Sequence, residues 1–418
     1  MNKFIVEGGH KLSGEIKVQG SKNAAFPVIV ASVLTTETCL IKNVPEIVDV
    51  RNFLNILEFL GADIKFADHR LEINTANLQN KILTQDLVSR LRGSILLAGP
   101  LLARFGKVIM AYPGGDAIGS RPIDVHLKGF RSLGAKISEE GRMIEVSASE
   151  LRGSKIVLGV TSVTGTENLV LASVLAKGMT EIGLADFSPH VQNLCKALNS
   201  MGAKIEGIGT PSLKITGVKS LHGVDHTICA DEIEAVTFCV AAAVTKSRIK
   251  ITGAVLENLD APLAALERMG VNFEAREGEI IIREPNGPYR GTRIITGVYP
   301  QLLTDEQPLL AVLATQAQGE TSIHDWIYEG RQGHLRALGQ MGAKVEFVDV
   351  HRAKIFGPTK LHGAEIKTPD LRAGASILIA ALIAESESII YNAEIIDRGY
   401  EKLDERLNKL GARIQRVN

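Results

Sequence analysis

The residues best suited to chemistry occur in short polar clusters, each just ahead of an apolar run. They are Lys22-Asn23, Arg90 with Arg92, Ser162 to Asn168, Asp231 to Glu234, Thr304-Asp305-Glu306-Gln307 and Asp370-Leu371-Arg372. The runs that follow read as helices, so the clusters stand at helix N-termini, where free N–H groups and the macrodipole attract anions. Capping explains Ser, Thr and Asp in such places, and Asp231 and Thr304 need nothing more. It does not explain Lys22 or Arg372, because a cation at that end opposes the dipole and requires an anion beside it. With Arg92 they form a set suited to phosphate or carboxylate, which arginine grips through two parallel hydrogen bonds.

A second unusual segment is Tyr112-Pro113-Gly114-Gly115-Asp116-Ala117-Ile118-Gly119-Ser120-Arg121-Pro122. Three glycines in so short a span read as a lid, with Asp116 at its middle and Arg121 at its base. The dinucleotide, P-loop and H-E-x-x-H motifs are absent from the sequence. His222 and His226 have the i, i+4 spacing of a metal pair, but Gly223 and a strand-like context spoil the geometry, so no metal site is expected. Cys39, Cys195, Cys229 and Cys239 are scattered through apolar contexts and read as buried thiols.

The elements that must position these groups are laid out by an internal repeat. A phrase of the form [LM]-G-[AV]-x-[IVF] recurs around Gly61, Gly134, Gly202, Gly270, Gly342 and Gly411, the glycines lying 68–73 residues apart. Each copy closes an amphipathic stretch, such as 48–60 or 400–410, and Gly then ends the helix before a strand. About thirty residues earlier in each unit lies a run that is apolar on every side, at 24–34, 94–103, 168–176, 235–244, 308–314 and 373–384. A helix without a polar face belongs inside the protein. Strands are predicted at 15–18, 155–158, 293–296 and 365–367, so a unit reads β-α-β-α-β-β. Six interior helices fit poorly in one core, and three units per lobe is the economical packing, giving two lobes and a cleft. A linear solenoid of six units is the alternative, although terminal caps are not evident.

Composition restricts the function. The chain has 418 residues, 45% of them hydrophobic, which is core material for at least two domains. Lys plus Arg and Asp plus Glu both number 47, so no global field exists to hold nucleic acid or an anionic membrane, and small-molecule work is favoured. Apolar runs fall short of a membrane span, and the start of the chain lacks a signal-peptide pattern; a cytoplasmic protein is expected.

Taken together, Ser21-Lys22-Asn23-Ala24-Ala25, the loop from Pro113 to Pro122, Thr304-Asp305, Asp370-Leu371-Arg372 and Asp397-Arg398-Gly399-Tyr400-Glu401 resemble the enolpyruvyl transferases over essentially the whole chain. The loop and the Asp-Arg-Gly-Tyr-Glu phrase are closest to the branch acting on UDP-N-acetylglucosamine rather than to the shikimate-pathway branch. The resemblance implies a two-lobed inside-out α/β barrel of six βαβαββ repeats, three per lobe. One lobe would hold residues 21–230, and the other residues 1–20 and 231–418. It also implies transfer of the enolpyruvyl group of phosphoenolpyruvate to the 3′-hydroxyl of UDP-N-acetylglucosamine through a tetrahedral ketal. This releases phosphate and opens peptidoglycan precursor synthesis, without a cofactor.

By the same similarity Lys22, Arg121, Arg331, Arg372 and Arg398 would bind phosphoenolpyruvate, and Arg92 would join them as a further active-site arginine. Asn23, Arg121, Pro122, Ile123, Asp124, Val125, Ser162, Val163, Thr164, Gly165 and Ile327 would contact the sugar nucleotide. Asp305 would take the 3′-hydroxyl proton, and Asp116 would serve the enol carbon as acid, with Lys22 and Arg398 counted in the catalytic set. Most members carry Cys at the position of Asp116, the thiol that the epoxide antibiotic fosfomycin alkylates, so insensitivity to the drug is expected. Thr164 before Gly165, Ser188, His190 and Glu232 are further departures, bearing on nucleotide binding. Two alternatives stand beside this reading: a catalytically silent sugar-nucleotide-binding paralogue, and an enolpyruvyl transferase with a different acceptor.

Overall fold

The computed structural model describes residues 2–116 and 118–417. Two separate hydrophobic cores divide the chain. One unit, here called the Lys22 unit, comprises Gly20–Asp116 and Arg121–Cys229. The other, the Asp305 unit, takes the chain up to Gln19, from Ala230 onward, and residues 118–120. The lid sequence is therefore shared, its 118–120 stretch grouping with the Asp305 unit instead of with the lobe expected to hold the whole loop.

The repeat is plainest at residues 155–216: strand Lys155–Val157, interior helix Val163–Ser173, strand Met179–Gly183, outer helix Pro189–Ser200, and the hairpin Lys204–Glu206 with Ser212–Thr216. The four strands form one sheet in the order first, second, fourth, third, with only the first pair parallel. Four more sheets share this order, and in the sixth a single bridge from Leu83 to Met110 stands in for the first strand.

Strand membership departs from simple succession. Ser13–Lys17, ahead of the first interior helix, pairs with Arg248–Ala254 of the fourth repeat, whereas Asp225–Thr227, ahead of the fourth, pairs with Cys39–Lys42 of the first. The two units thus exchange first strands at the points where the chain crosses. Lys3–Glu7 supplies the fourth strand of the last repeat, between Ser388–Tyr391 and Arg413–Val417.

The interior helices have no polar face, and all residues of Glu232–Val244, Gln307–Thr315 and Leu371–Ala381 are buried. The run expected at 94–103 becomes a 3-10 helix, Arg92–Leu97, leading into the α-helix Ala98–Phe105. Pro100 explains the change, because it cannot donate to an α ladder extended back through residue 96 and is tolerated only in a first turn. The outer helices are amphipathic; Val48–Leu60 buries Val50, Phe53, Leu54, Ile56, Leu57 and Leu60. Each outer helix ends at the repeated glycine, and all six of those glycines have φ between 82° and 109°, a left-handed conformation that a side chain would strain. Among the described residues no helix is long and apolar enough to cross a membrane.

Candidate active site

In the Lys22 unit the expected residues cluster at element starts. Lys22 and Asn23 open the helix Lys22–Ala31, capped by Ser21, whose Oγ accepts from the Ala24 N–H at 3.4 Å. The anion that offsets Lys22 is supplied by the chain itself: Asp49 Oδ2 lies 3.5 Å from Lys22 Nζ, with side-chain exposures of 12% for the lysine and 3% for the aspartate. Asp49 escaped the sequence reading because an acid in the first turn of an outer helix looks like ordinary dipole compensation.

Arg92 opens its 3-10 helix and donates from Nη2 to the carbonyls of Arg121 and Pro122, the latter at 3.2 Å. Arg121 in turn donates to the Asp116 carbonyl at 2.8 Å, so both arginines and the lid aspartate form one connected strip. Pro122 and Ile123 lead into the helix Asp124–Ser132, which starts with Asp124 and Val125. Ser162 caps the helix Val163–Ser173, accepting from the Gly165 N–H at 3.1 Å. Gly165 brings the two segments together, since a Cβ there would stand 2.9 Å from Val125 Cγ1. Behind them His126 and Asn168 are buried and hydrogen-bonded to each other at 3.0 Å. Burial, with Arg92 nearby, lowers the His126 pKa to about 3, so its ring is neutral.

In the Asp305 unit the carboxylate of Asp305 joins two arginines. Its Oδ1 pairs with Arg331 Nη2, and its Oδ2 accepts from Arg372 Nε at 3.1 Å. Both guanidinium groups are nearly closed off, at 2% and 3% exposure, whereas Asp305 is 29% exposed. Asp370 caps the helix Leu371–Ala381, accepting from the Arg372 and Ala373 N–H groups at 3.0 Å, and stands 3.7 Å from Arg331. Burial alone would weaken the charge on Arg372, but Tyr400, Asp305 and Asp231 outweigh it and hold the guanidinium more firmly protonated than usual. Its two terminal nitrogens are buried and have no hydrogen-bond partner among the described residues. Unpaired buried donors of this kind are costly, and a ligand carboxylate or phosphate would satisfy them.

Arg398 ends the 3-10 helix Ala393–Arg398, partly buried. Gly399 lets that turn settle on the Arg372 helix, because a Cβ there would stand 2.6 Å from Leu371 Cδ2. Ile327 is placed by Asp325, which the sequence did not single out: Oδ1 accepts from the Ile327 N–H at 3.1 Å, and Oδ2 from Thr304 Oγ1 at 2.5 Å. Nothing in the spacing of Asp325 distinguishes it from a residue following a strand.

The expected residues therefore fall into two sets. Lys22, Asn23, Arg92, Asp116, Arg121 to Val125 and Ser162 to Gly165 belong to one unit; Asp305, Ile327, Arg331, Arg372 and Arg398 belong to the other.

Residues 6–407 match the family profile described as EPSP synthase (3-phosphoshikimate 1-carboxyvinyltransferase). A Bacteroides fragilis protein named UDP-N-acetylglucosamine 1-carboxyvinyltransferase is 41% identical over 435 residues, with all of both chains covered. One of the same name from Koribacter versatilis is 41% identical over 421 residues, covering all of this chain and 97% of its own. The crystal structure of the enolpyruvyl transferase NikO from Streptomyces tendae superposes with a TM-score of 0.91 at 26% identity, covering 100% of this chain and 99% of that one. Repeat architecture, full-length sequence similarity and superposition agree, and the chain belongs to the EPSP synthase family of enolpyruvyl transferases.

Proposed function

We propose that this chain transfers the enolpyruvyl group of phosphoenolpyruvate to the 3′-hydroxyl of UDP-N-acetylglucosamine in the cytosol, releasing phosphate and opening peptidoglycan precursor synthesis. The acceptor follows from the relatives that share 41% of their residues with the whole chain. The observation that carries the chemistry is Arg372, a buried guanidinium at a helix N-terminus whose terminal nitrogens have no hydrogen-bond partner among the described residues. Lys22, Arg121, Arg331 and Arg398 complete the counter-charge for a phosphorylated carboxylic acid.

In the first half-reaction Asp305 takes the 3′-hydroxyl proton while that oxygen bonds to C2 of phosphoenolpyruvate and Asp116 gives a proton to C3, forming the ketal. In the second, C3 loses a proton, the bond from C2 to the phosphate oxygen breaks, and the double bond returns in the product. Asp305 meets the geometric demand on a base: it is the exposed member of its trio, and two arginines hold its orientation. Asn23, Arg121 to Val125, Ser162 to Gly165 and Ile327 hold the nucleotide, with Arg92 a further arginine of the site.

Incubation with both substrates should release phosphate and yield a product heavier than UDP-N-acetylglucosamine by one enolpyruvyl group, read by mass spectrometry. Turnover of shikimate 3-phosphate in its place would redirect the acceptor, and binding without phosphate release would identify a silent paralogue. Asp116→Asn should lower kcat by about 10³-fold, within the span of general acid catalysis. A carboxylate is no soft nucleophile, so fosfomycin should leave the protein unmodified, whereas Asp116→Cys should acquire one covalent adduct.

A further inference from the structure

His126 carries a consequence for the nucleotide segment that follows from hydrogen-bond polarity alone. Asn168 Oδ1 accepts from the Gly99 N–H at 2.6 Å, which fixes the orientation of the amide and makes its other atom the NH2 group. That NH2 has two protons and two acceptors, the Ile95 carbonyl at 2.7 Å and His126 Nδ1 at 3.0 Å. An imidazole nitrogen that accepts carries no proton, so the neutral ring bears its proton on Nε2. Nε2 lies 3.3 Å from Thr164 Oγ1 and therefore donates to it. The hydroxyl proton of Thr164 is left without an acceptor among the described residues, on a half-buried residue in the first turn of the helix Val163–Ser173.

We infer that His126 is a positioning residue that commits the Thr164 hydroxyl to donating a hydrogen bond to an acceptor oxygen of the sugar nucleotide, a phosphate or carbonyl oxygen. The inference rests on the reading that Ser162 to Gly165 hold the nucleotide. The neighbouring Ser162 Oγ likewise accepts one N–H, that of Gly165, but from the backbone as a helix cap and not from a side chain. Thr164 discriminates by polarity: with one lone pair receiving the His126 Nε2–H and its own proton unclaimed, it favours an acceptor oxygen over a donor.

The test uses the full-length protein, calorimetric titration with UDP-N-acetylglucosamine, and steady-state kinetics. Thr164→Val should raise Kd and KM for the nucleotide roughly tenfold, as expected for a lost bond to a charged or strongly polar oxygen, leaving kcat and KM for phosphoenolpyruvate within about twofold. Thr164→Ser should restore the affinity. His126→Phe should weaken nucleotide binding by a similar factor, and the double variant His126→Phe/Thr164→Val should lose no more than either alone. Equal nucleotide affinity in wild type and Thr164→Val, or fully additive losses in the double variant, would overturn the inference. If His126→Phe does not unfold cooperatively, the Thr164→Val and Thr164→Ser pair decides by itself. A wild-type protein that does not bind UDP-N-acetylglucosamine would instead remove the proposed function, so the two failures are distinct.

Discussion

The two units repeat one motif but treat the starts of their interior helices in opposite ways. In the Lys22 unit the side-chain caps are the neutral hydroxyls of Ser21 and Ser162, and two of the interior segments open on a cation, Lys22 and Arg92. In the Asp305 unit two of the caps are carboxylates: Asp231 takes the N–H groups of Ile233 and Glu234, and Asp370 those of Arg372 and Ala373, whereas Glu306 at the third start makes no side-chain bond to its helix. Neutral caps leave the dipole unneutralised, available to an external anion. Carboxylate caps discharge the dipole internally and turn nearby arginines into members of ion-pair networks, fixing their orientation instead of adding to a general attraction. The same fold element thus keeps a dipole its cap does not compensate in one unit and carries a rigid mount for guanidinium groups in the other.

That contrast can be broken at its most sensitive point by Arg372→Met. If the mount matters because it presents two unpartnered nitrogens, kcat/KM should fall by about 10³-fold or more, equivalent to about 4 kcal/mol of transition-state stabilisation. A loss below tenfold would mean that Arg372 serves the fold alone. Next in size, Asp370→Ala removes a carboxylate that caps two N–H groups beside Arg331, and should cost about 3 kcal/mol in urea unfolding.

A pH experiment sharpens the same contrast. Glu234 is fully buried against Arg406, and its burial raises its pKa to about 7 from an ordinary 4.5. A carboxyl whose folded pKa is raised contributes full stability below about 4.5 and loses it as pH rises through 7. The difference is on the order of 3 kcal/mol, and Glu234→Gln should flatten the fall in urea midpoint between pH 5 and 8. The smallest effect is expected of Ser21→Ala, a neutral cap with one long hydrogen bond, at about 1 kcal/mol in thermal unfolding. A cost equal to that of Asp370→Ala would erase the distinction between the two kinds of cap.

The repeat was legible because its signal is local. The glycine at the end of each outer helix must adopt a left-handed conformation, and a helix apolar all round can only be interior, so periodicity and one residue type sufficed. Lys22 and Arg372 could be singled out for a similar reason, as cations at helix starts that oppose the dipole, whereas Asp305 was marked by the family resemblance. Asp49 and Asp325 could not be singled out, because each gains its role from a partner 20 or more residues away, Lys22 and Thr304 respectively. The exchange of Ser13–Lys17 and Asp225–Thr227 between repeats was equally hidden, since either strand satisfies the alternation of either sheet.

Interactions within a few residues set the periodic content: six units, their interior helices and the polar clusters at the starts of those helices. Which groups meet is settled by folding. Strand partners, the anion beside each buried cation and the proton on each buried imidazole depend on contacts between residues far apart in the chain, and no local spacing encodes them.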